Sequence, residues 1–253
     1  MFLVNKRCYT IYGDDMSNYE ILQKMIDESE SIVFFGGAGV STESGIKDFR
    51  SVDGLYSEKY EYSPELILSR SFFNEHKSQF YKFYKDKLNC LNIEPNVTHN
   101  YLKKLEDKGK LKAIITQNID GLHEKAGSKN ILLLHGTIFK NHCMMCNKEY
   151  DASYVFNSLD IPRCSCGGII KPDVVLYEEP LDNEVVSASI KAIKECDLLI
   201  IAGTSLAVYP AASYIKYYSG NKLVIINKDE THYDKFANLV IHEKLGDIFS
   251  KLK

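Results

Sequence analysis

Short runs of continuously apolar residues recur along this chain and limit the folds that it can adopt. They read SIVFF, LKAIIT, ILLL, DLLIIA and KLVII, and glycine or polar residues follow each of them. A strand that is apolar on both faces must be covered on both faces, as in a parallel sheet with helices on each side. The pattern therefore predicts a doubly wound α/β domain.

Helix-forming segments lie between the apolar runs. The first spans 18–30, where Ile21, Leu22, Met25 and Ile26 have helical spacing. Further helices are predicted over 63–69 with Ser63 as cap and Pro64 at the first position, over 71–88, over 98–109 closed by Gly109, over 183–195, over 206–218 and at the end of the chain. Strands and helices therefore alternate, as a parallel sheet requires.

Composition gives no support to a nucleic-acid or membrane function. The 253 residues carry a net charge of −3 and a pI near 6.2, whereas nucleic-acid binders present a basic surface. The apolar runs are far too short to cross a bilayer, and Lys6 and Arg7 stand where an export signal would place its apolar core. We expect a monomeric, cytoplasmic protein that binds neither a specific nucleic acid nor a membrane.

The seven cysteines are unevenly distributed. Cys143, Cys146, Cys164 and Cys166 fall within 24 residues, and the other three are scattered, which favours free thiols in a reducing compartment over disulfides. The spacing of the four is close to that of structural zinc sites. Four thiolates complete a tetrahedral shell and leave no position for water, so one structural zinc ion is predicted. A nucleic-acid-binding zinc ribbon is the alternative, and the acidic chain gives it little support.

A glycine-rich stretch, FFGGAGVSTESGIKDFRS, ends the first apolar run, where a phosphate-binding turn belongs. Gly37 and Gly39 let the backbone turn tightly and approach a pyrophosphate. The match is incomplete, since Thr42 replaces the third glycine and no acidic residue follows at the expected distance. A simple strand-to-helix turn stays open as an alternative. Arg50 favours phosphate binding, because its guanidinium offers paired donors.

Polar residues also follow the later apolar runs. They are Gln117, Asn118 and Asp120 after LKAIIT, His135 after ILLL, Thr204 and Ser205 after DLLIIA, and Asn227 after KLVII. The carboxyl ends of parallel strands meet at one edge of the sheet, where ligands bind in open α/β folds. One such loop could be an ordinary turn, but several on one edge predict a large, polar, phosphate-bearing ligand.

Three histidines lie near these motifs. Because four cysteines fill the metal shell, His135 is free, and its place at the ligand edge favours a catalytic base over the commoner structural role. His142 is interpreted as a solvated neighbour of Cys143, and His123 as a residue that orders the loop before it.

Together the motifs resemble those of bacterial-type sirtuins, the NAD-dependent protein deacylases. The shared elements occur in family order from about residue 20 to the end: GAGVSTESGIKDFRS, TQNIDGLH, LHGT, the four cysteines, KPDVVLYEE, AGTSLAVYPAA and VIIN. The resemblance implies a Rossmann-like NAD-binding domain over 16–137 and 177–253, with a small zinc-binding module inserted over 138–176. A helical lobe from 50–95 and an N-terminal extension over 1–15 complete the predicted organisation.

The resemblance also implies which residues form the site. NAD would contact a set drawn from all the strand-end loops: Ala38, Thr42, Phe49, Arg50, Gln117, Ile119, Asp120, His135, Thr204, Ser205, Asn227 and Leu245. Within the nicotinamide pocket, Ile119 and Asp120 would be joined by Ile46 and Asn118. Asn118 would also orient a ribose hydroxyl or a water molecule, and Lys244 with Leu245 would close the adenine end.

The implied reaction is the deacetylation of lysine. The acetyl group passes to ADP-ribose with His135 as general base, and nicotinamide and O-acetyl-ADP-ribose are released. An acetyl-lysine peptide or protein would bind as an added strand beside Val174–Glu179. The same scaffold could instead act as an NAD glycohydrolase or mono-ADP-ribosyltransferase, although the peptide segment and the zinc module favour a peptide substrate. A non-enzymatic NAD-sensing or interaction module is the remaining alternative.

Several positions depart from the family pattern. Gly36 stands where threonine is usual and Lys47 where proline is usual, whereas Glu178 replaces a glycine beside the peptide strand and suggests a preference for basic flanking residues. In place of the Tyr-x-x-Arg pair that binds succinyl or malonyl carboxylates, the chain has Tyr81 and Tyr84. A carboxylate buried without a partner is costly, so acetyl or longer neutral acyl groups are expected. Lys82 and Lys85 leave an acidic acyl group open as the alternative.

Overall fold

Nine strands form two sheets within residues 16–49, 54 and 60–253, which the computed structural model describes. In chain order they are β1 (Ile32–Gly36), β2 (Leu111–Thr116), β3 (Ile131–Leu133), β4 (Gly136–Cys143), β5 (Glu149–Asp151), β6 (Ile170–Val174), β7 (Leu198–Ala202), β8 (Leu223–Ile226) and β9 (Leu239–Ile241). The larger sheet is parallel, with the order β3-β2-β1-β7-β8-β9. The smaller sheet is antiparallel, and β4 lies between β5 and β6.

The α-helices of the described residues connect these strands. They are α1 (Asn18–Asp27), α2 (Pro64–Ile67), α3 (Arg70–Glu75), α4 (Lys77–Lys87), α5 (Val97–Asp107), α6 (Leu122–Lys125), α7 (Ala152–Phe156), α8 (Asn183–Glu195) and α9 (Leu245–Phe249). Ser63 caps α2 through the Leu66 N–H and Pro64 opens that helix, as predicted. Gly109 follows α5 with φ +72°, a conformation that favours glycine. None of these helices is long and apolar enough to span a membrane.

Both faces of the parallel sheet are buried. Ile32 and Phe34 of β1 belong to one apolar cluster, which also contains residues of α1, α5 and α9. Val33 and Phe35 belong to another cluster, which contains residues of α8 and of the 3₁₀ segment Ala211–Tyr217. Covering on both sides is what continuously apolar strands require, and the predicted doubly wound α/β fold is confirmed.

A third apolar cluster joins α2, α3 and α4 to the smaller sheet. Phe73, Phe80 and Tyr81 of the helices share it with Ile138 of β4 and Ile170 of β6. Two stretches that are distant in sequence therefore build one lobe beside the parallel sheet. The exact domain limits stay a prediction, and the extension over 1–15 lies outside the described residues, as do parts of 50–59.

Several local features differ from the prediction, and three of them are instructive. The segment 71–88 holds parts of two helices, because His76 has a non-helical backbone between α3 and α4. Within 206–218 only Ala211–Tyr217 is helical, in 3₁₀ form, since Pro210 disfavours a helical conformation at the residue before it. Strand β9 was not predicted, because its three residues show no periodic pattern.

Candidate active site

The sheet order places the predicted ligand loops together. Along the chain the sheet grows from β1 through β2 to β3 on one side, and from β7 through β8 to β9 on the other. Such a reversal between β1 and β7 is a topological switch point, and the loops after these two strands diverge there to leave a ligand crevice. The glycine loop over 37–45 follows β1, and the loop with Thr204 and Ser205 follows β7.

Backbone contacts lock these two loops to each other. The N–H of Gly37 donates to Ala202 O at 3.2 Å, and the N–H of Gly39 donates to Gly203 O at 2.8 Å. A Cβ on Gly39 would lie 2.7 Å from the Gly203 Cα, closer than such atoms approach in proteins. Gly203 itself has φ +60°. Glycine is required at positions 39 and 203 because the two loops approach each other so closely. A simple strand-to-helix turn after β1 would not need this close approach.

Ser41 connects the glycine loop to the loop after β2. Its hydroxyl donates to the Asp120 carboxylate at 2.6 Å and accepts from the Asn118 amide at 3.1 Å. The Leu122 N–H donates to the other oxygen of Asp120 at 3.0 Å. This small network fixes the orientation of both predicted polar residues, and it places a buried carboxylate beneath the crevice. Burial raises the pKa of Asp120, and its hydrogen bonds with Ser41, Leu122 and Asn118 partly oppose that rise.

Gln117 bridges three strand ends. Its N–H donates to Gly36 O at 3.0 Å, its side-chain amide donates to the Thr204 hydroxyl at 3.1 Å, and its carbonyl lies 2.9 Å from Nδ1 of His135. One residue therefore ties the end of β2 to the ends of β1, β3 and β7. Three of the predicted ligand residues, Gln117, Thr204 and His135, are thereby brought into one connected site.

The contact with Gln117 decides the tautomer of His135. A carbonyl oxygen can only accept, so Nδ1 carries the proton and the lone pair of the neutral ring lies on Nε2. Burial lowers the pKa of His135, although the Gln117 carbonyl opposes part of this shift. The ring is therefore a neutral base near physiological pH. Gly136 follows with φ +74°, and a Cβ there would collide with Asp173 O of β6, so glycine is required at this position.

The remaining predicted NAD residues lie on the same edge or next to it. Ala38 and Thr42 belong to the glycine loop, Ser205 is exposed after β7, and Asn227 follows β8. Ile46, Phe49 and Ile119 are partly buried against the small lobe. Leu245 opens α9, and its side chain is buried in the core beneath the sheet. Arg50 lies outside the described residues.

The other two histidines differ in their surroundings. His142 on β4 is half-buried and contacts the Asp173 carboxylate. His123 is fully buried, and its ring packs against His99 with centroids 4.7 Å apart. Neither ring nitrogen of His123 has a hydrogen-bond partner among the described residues. His123 therefore stabilises the loop after β2 through packing.

The segment that is predicted to bind the substrate peptide, Val174–Glu179, packs against the link between α2 and α3. The Tyr177 N–H donates to Leu68 O at 3.0 Å, and the Arg70 N–H donates to Tyr177 O at 3.0 Å. Glu178 has φ +73°, which is unusual for a residue with a side chain. Its two carboxylate oxygens accept from the N–H and hydroxyl of Ser71, each at 2.9 Å. The glutamate thus adds a contact that a glycine could not make.

The four cysteines form a candidate metal centre. Cys146 Sγ lies 3.6 Å from Cys164 Sγ and 3.5 Å from Cys166 Sγ, and Cys143 Sγ lies 3.5 Å from Cys166 Sγ. All four sulfurs fall within 4.8 Å of one another. A tetrahedron with Zn–S bonds of about 2.3 Å has sulfurs about 3.8 Å apart, so the four thiols fit one zinc ion. The predicted spacing, with its shortened second pair, is sufficient for such a site.

Asn96 was missing from the sequence prediction. It caps α5, and its side-chain amide also donates to Val40 O at 2.8 Å in the glycine loop. A cap can be recognised in a sequence, because Asn precedes a helical pattern. The contact with Val40 joins residues that are 56 positions apart, and no local pattern indicates it.

These features define an α/β protein with polar loops at a topological switch point, a partly buried histidine after the end of β3 and a four-cysteine module. The family follows from comparison: a model described as the Sir2 family matches residues 37–210. The chain belongs to this family.

Known proteins that resemble the chain agree with this assignment. A protein from Clostridium acetobutylicum named NAD-dependent protein deacetylase is 56% identical over 231 residues, which cover 90% of this chain and 94% of that protein. A solved Sir2 complex with deacetylated p53 peptide and 3′-O-acetyl ADP-ribose has a TM-score of 0.86 at 36% identity, covering 93% and 97% of the two chains. A Sir2 complex with p53 peptide and NAD+ has a TM-score of 0.81 at 37% identity, covering 93% and 97%.

Proposed function

We propose that this chain is an NAD-dependent protein lysine deacetylase, which transfers the acetyl group of acetyl-lysine to ADP-ribose. The observation that carries the proposal is the arrangement of His135, whose Nε2 lone pair is left free by the bond from Nδ1 to Gln117 O. Relatives that match nearly the whole chain are named for this activity, and related structures hold NAD+ or an acetylated peptide. The co-substrate is NAD.

NAD fits the crevice by the chemistry of its lining. Gly37 and Gly39 let the glycine loop pack directly against the loop after β7, and the switch point between these two loops is where open α/β sheets bind dinucleotides. Residues of five loops would hold the dinucleotide: Ala38, Thr42, Phe49, Arg50, Gln117, Ile119, Asp120, Thr204, Ser205, Asn227 and Leu245. When bound, NAD would supply an activated ribosyl carbon for the transfer of the acetyl group.

The chain contributes a base and a fixed set of polar groups. His135 takes a proton at Nε2, and its lowered pKa keeps the ring neutral and able to do so at physiological pH. Asn118 orients a ribose hydroxyl or water, and its amide is itself held by Ser41. Asp120 is held by Ser41 and Leu122 for the nicotinamide amide. Preorganised groups of this kind cost no reorganisation during the reaction.

The small lobe supports a preference for neutral acyl groups. Tyr81 and Tyr84 are fully buried, and the Tyr81 hydroxyl donates to Ile170 O. Lys85 on α4 donates to Ser158 O at 2.7 Å and also to Asp160 O. Its ammonium is therefore used within the lobe. Burying an acyl carboxylate beside Tyr81 and Tyr84 without a free cation would be costly.

Two further aspects belong to the proposal. The zinc ion held by the four cysteines is structural, because four thiolates leave no coordination position for a substrate. A cytoplasmic location is supported by the free thiols of Cys90 and Cys196, which are buried and unpaired in disulfides.

The test is to incubate the protein with NAD and an acetyl-lysine peptide and to follow the products by mass spectrometry. We expect O-acetyl-ADP-ribose only when the peptide is present, and a loss of at least about a hundredfold in His135→Ala. His142→Ala is the matched control, since that ring contacts Asp173 on the metal module, and it retains activity. Free ADP-ribose formed equally without peptide would instead support an NAD glycohydrolase.

A further inference from the structure

The side chain of Asn96 anchors the glycine loop at two points. Its Nδ2 donates to Val40 O at 2.8 Å and lies 3.1 Å from the Ser44 hydroxyl. Val40 and Ser44 are in the two 3₁₀ turns of the loop, on either side of Ser41. One amide group therefore spans the segment that presents Ser41 to Asp120.

The other end of the same amide is also occupied. Asn96 Oδ1 accepts from the Thr98 N–H at 3.0 Å and from the His99 N–H at 3.4 Å, which caps α5. A cap needs only an acceptor, and serine or aspartate would serve equally well. The bond to Val40 O needs a donor as well. Only an amide of this length supplies both, so the asparagine does more than begin the helix.

A buried imidazole supports this geometry from below. Nδ1 of His99 lies 3.0 Å from Asn96 Oδ1 and 3.3 Å from the Asn96 backbone nitrogen. His99 is fully buried, and burial lowers its pKa to about 4. A neutral, immobile ring thus holds Asn96 in place. On its opposite flank the loop is held by Glu43, which accepts the Gly246 N–H at 2.6 Å.

We propose that Asn96 is a positioning residue for the NAD site, which holds the glycine loop in the conformation that binds the dinucleotide. The inference rests on the proposed function, because it assigns NAD to this crevice. Asn96 acts through Val40 and Ser44 and touches no reacting atom. Its effect is therefore confined to NAD affinity, and peptide binding on the other side of the site is unchanged.

Two variants separate the anchor from the cap. Asn96→Ser keeps the cap acceptor but is too short to reach Val40 O, and Asn96→Asp keeps the cap and sets an oxygen against that carbonyl. We expect both to raise the KM and the Kd for NAD by about three- to tenfold, with Asn96→Asp the more affected. The KM for the peptide stays within about twofold. NAD binding is measured by titration calorimetry on the whole chain, with acetyl-peptide turnover alongside.

Asp182→Ala is the matched control. Asp182 caps α8 through the Glu184 and Val185 N–H groups, so its loss lowers the thermal midpoint without changing NAD affinity. Unchanged NAD affinity in both Asn96 variants, with active wild type, overturns the inference and leaves the deacetylase proposal intact. If the wild type fails to deacetylate the peptide but both Asn96 variants bind NAD more weakly than it does, the inference is upheld and the proposed function is refuted. A wild type that does not bind NAD refutes both.

Discussion

The buried histidines His99 and His123 are expected to make the fold sensitive to mild acid. Burial lowers the pKa of His99 to about 4 and that of His123 to about 3, from an ordinary 6.5. Above pH 6.5 both rings are neutral in the folded and unfolded chain alike. As the pH falls below 6.5, the unfolded chain binds two protons that the folded chain does not bind. The free energy of unfolding therefore declines until the pH reaches the folded-state pKa values of the two histidines.

The size of the loss in unfolding free energy follows from how far the two pKa values are lowered. Each histidine costs about 1.4 kcal/mol of unfolding free energy per pH unit below 6.5. At pH 5 the two rings together lower it by about 4 kcal/mol relative to pH 7. This is a large part of the roughly 5–15 kcal/mol that stabilises an ordinary domain. The effect is therefore within reach of equilibrium unfolding.

The measurement compares wild type with His123→Leu by urea denaturation at pH 7 and pH 5. No described residue bonds to the ring nitrogens of His123, so leucine forfeits no protein hydrogen bond. The variant retains one buried imidazole, and its loss between the two pH values is expected to be about 2 kcal/mol smaller than that of wild type. The metal site and the carboxylates contribute equally to both proteins and cancel in this difference.

A matched control is His232→Gln, because His232 is exposed. Its pH dependence is expected to equal that of wild type. If His123→Leu also lost as much stability as wild type between pH 7 and pH 5, then the buried ring of His123 would have to be protonated in the folded chain. The reasoning from burial would then be refuted.

Three other predictions address the metal, the peptide segment and the crevice. Removal of zinc by a chelator lowers the thermal midpoint and stops deacetylation, and metal analysis gives one zinc per wild-type chain and per Cys196→Ala, but none after Cys143→Ala. Glu178→Gly frees Val174–Glu179 from Ser71 and raises the KM for the peptide about threefold, whereas the KM of Glu178→Gln stays near that of wild type. If both variants instead lost affinity equally, and only for basic peptides, the charge of Glu178 itself would contact the substrate. Gly203→Ala is expected to lower the free energy of unfolding by about 2–4 kcal/mol in urea denaturation and to abolish NAD binding, since its Cβ would meet the Val40 N at 2.5 Å. The control is Gly109→Ala, which has φ +72° but open space around the new Cβ, so it costs only about 1 kcal/mol. Equal costs for the two variants would show that the contact with Val40 is unimportant.

Much of the fold was predictable because the apolar pattern and the burial agree. The strands β1, β7 and β8 are apolar at every position and buried at every position, so their place in a covered parallel sheet follows. β9 has only three residues and depends on pairing with β8 for its existence. The break at His76 is likewise set by packing, since the helical pattern continues through it.

The candidate site was predictable where each residue follows a strand end. Gln117, Asn118 and Asp120 could be located by position alone, because parallel strands deliver their carboxyl ends to one edge. The hydrogen bonds that orient these residues could not be predicted, because Ser41 and Asp120 are 79 positions apart in the sequence. The same holds for the contacts of Glu178, for which a preference for basic flanking residues stays a prediction. Both of its oxygens accept from Ser71, so its partner is within the chain.

The core shared by α4 and the metal module has a consequence for synthesis of the chain. Tyr84 on α4 and Ile170 on β6 belong to one apolar cluster, and the ribosome adds residues at about 5–20 per second. The aromatic face of α4 must therefore wait about 4–17 s, the time needed to make the intervening stretch, before its partners emerge. During that interval the nascent chain carries an uncovered row of phenylalanine and tyrosine rings. Chaperones that recognise aromatic segments would find their target in the first half of this protein.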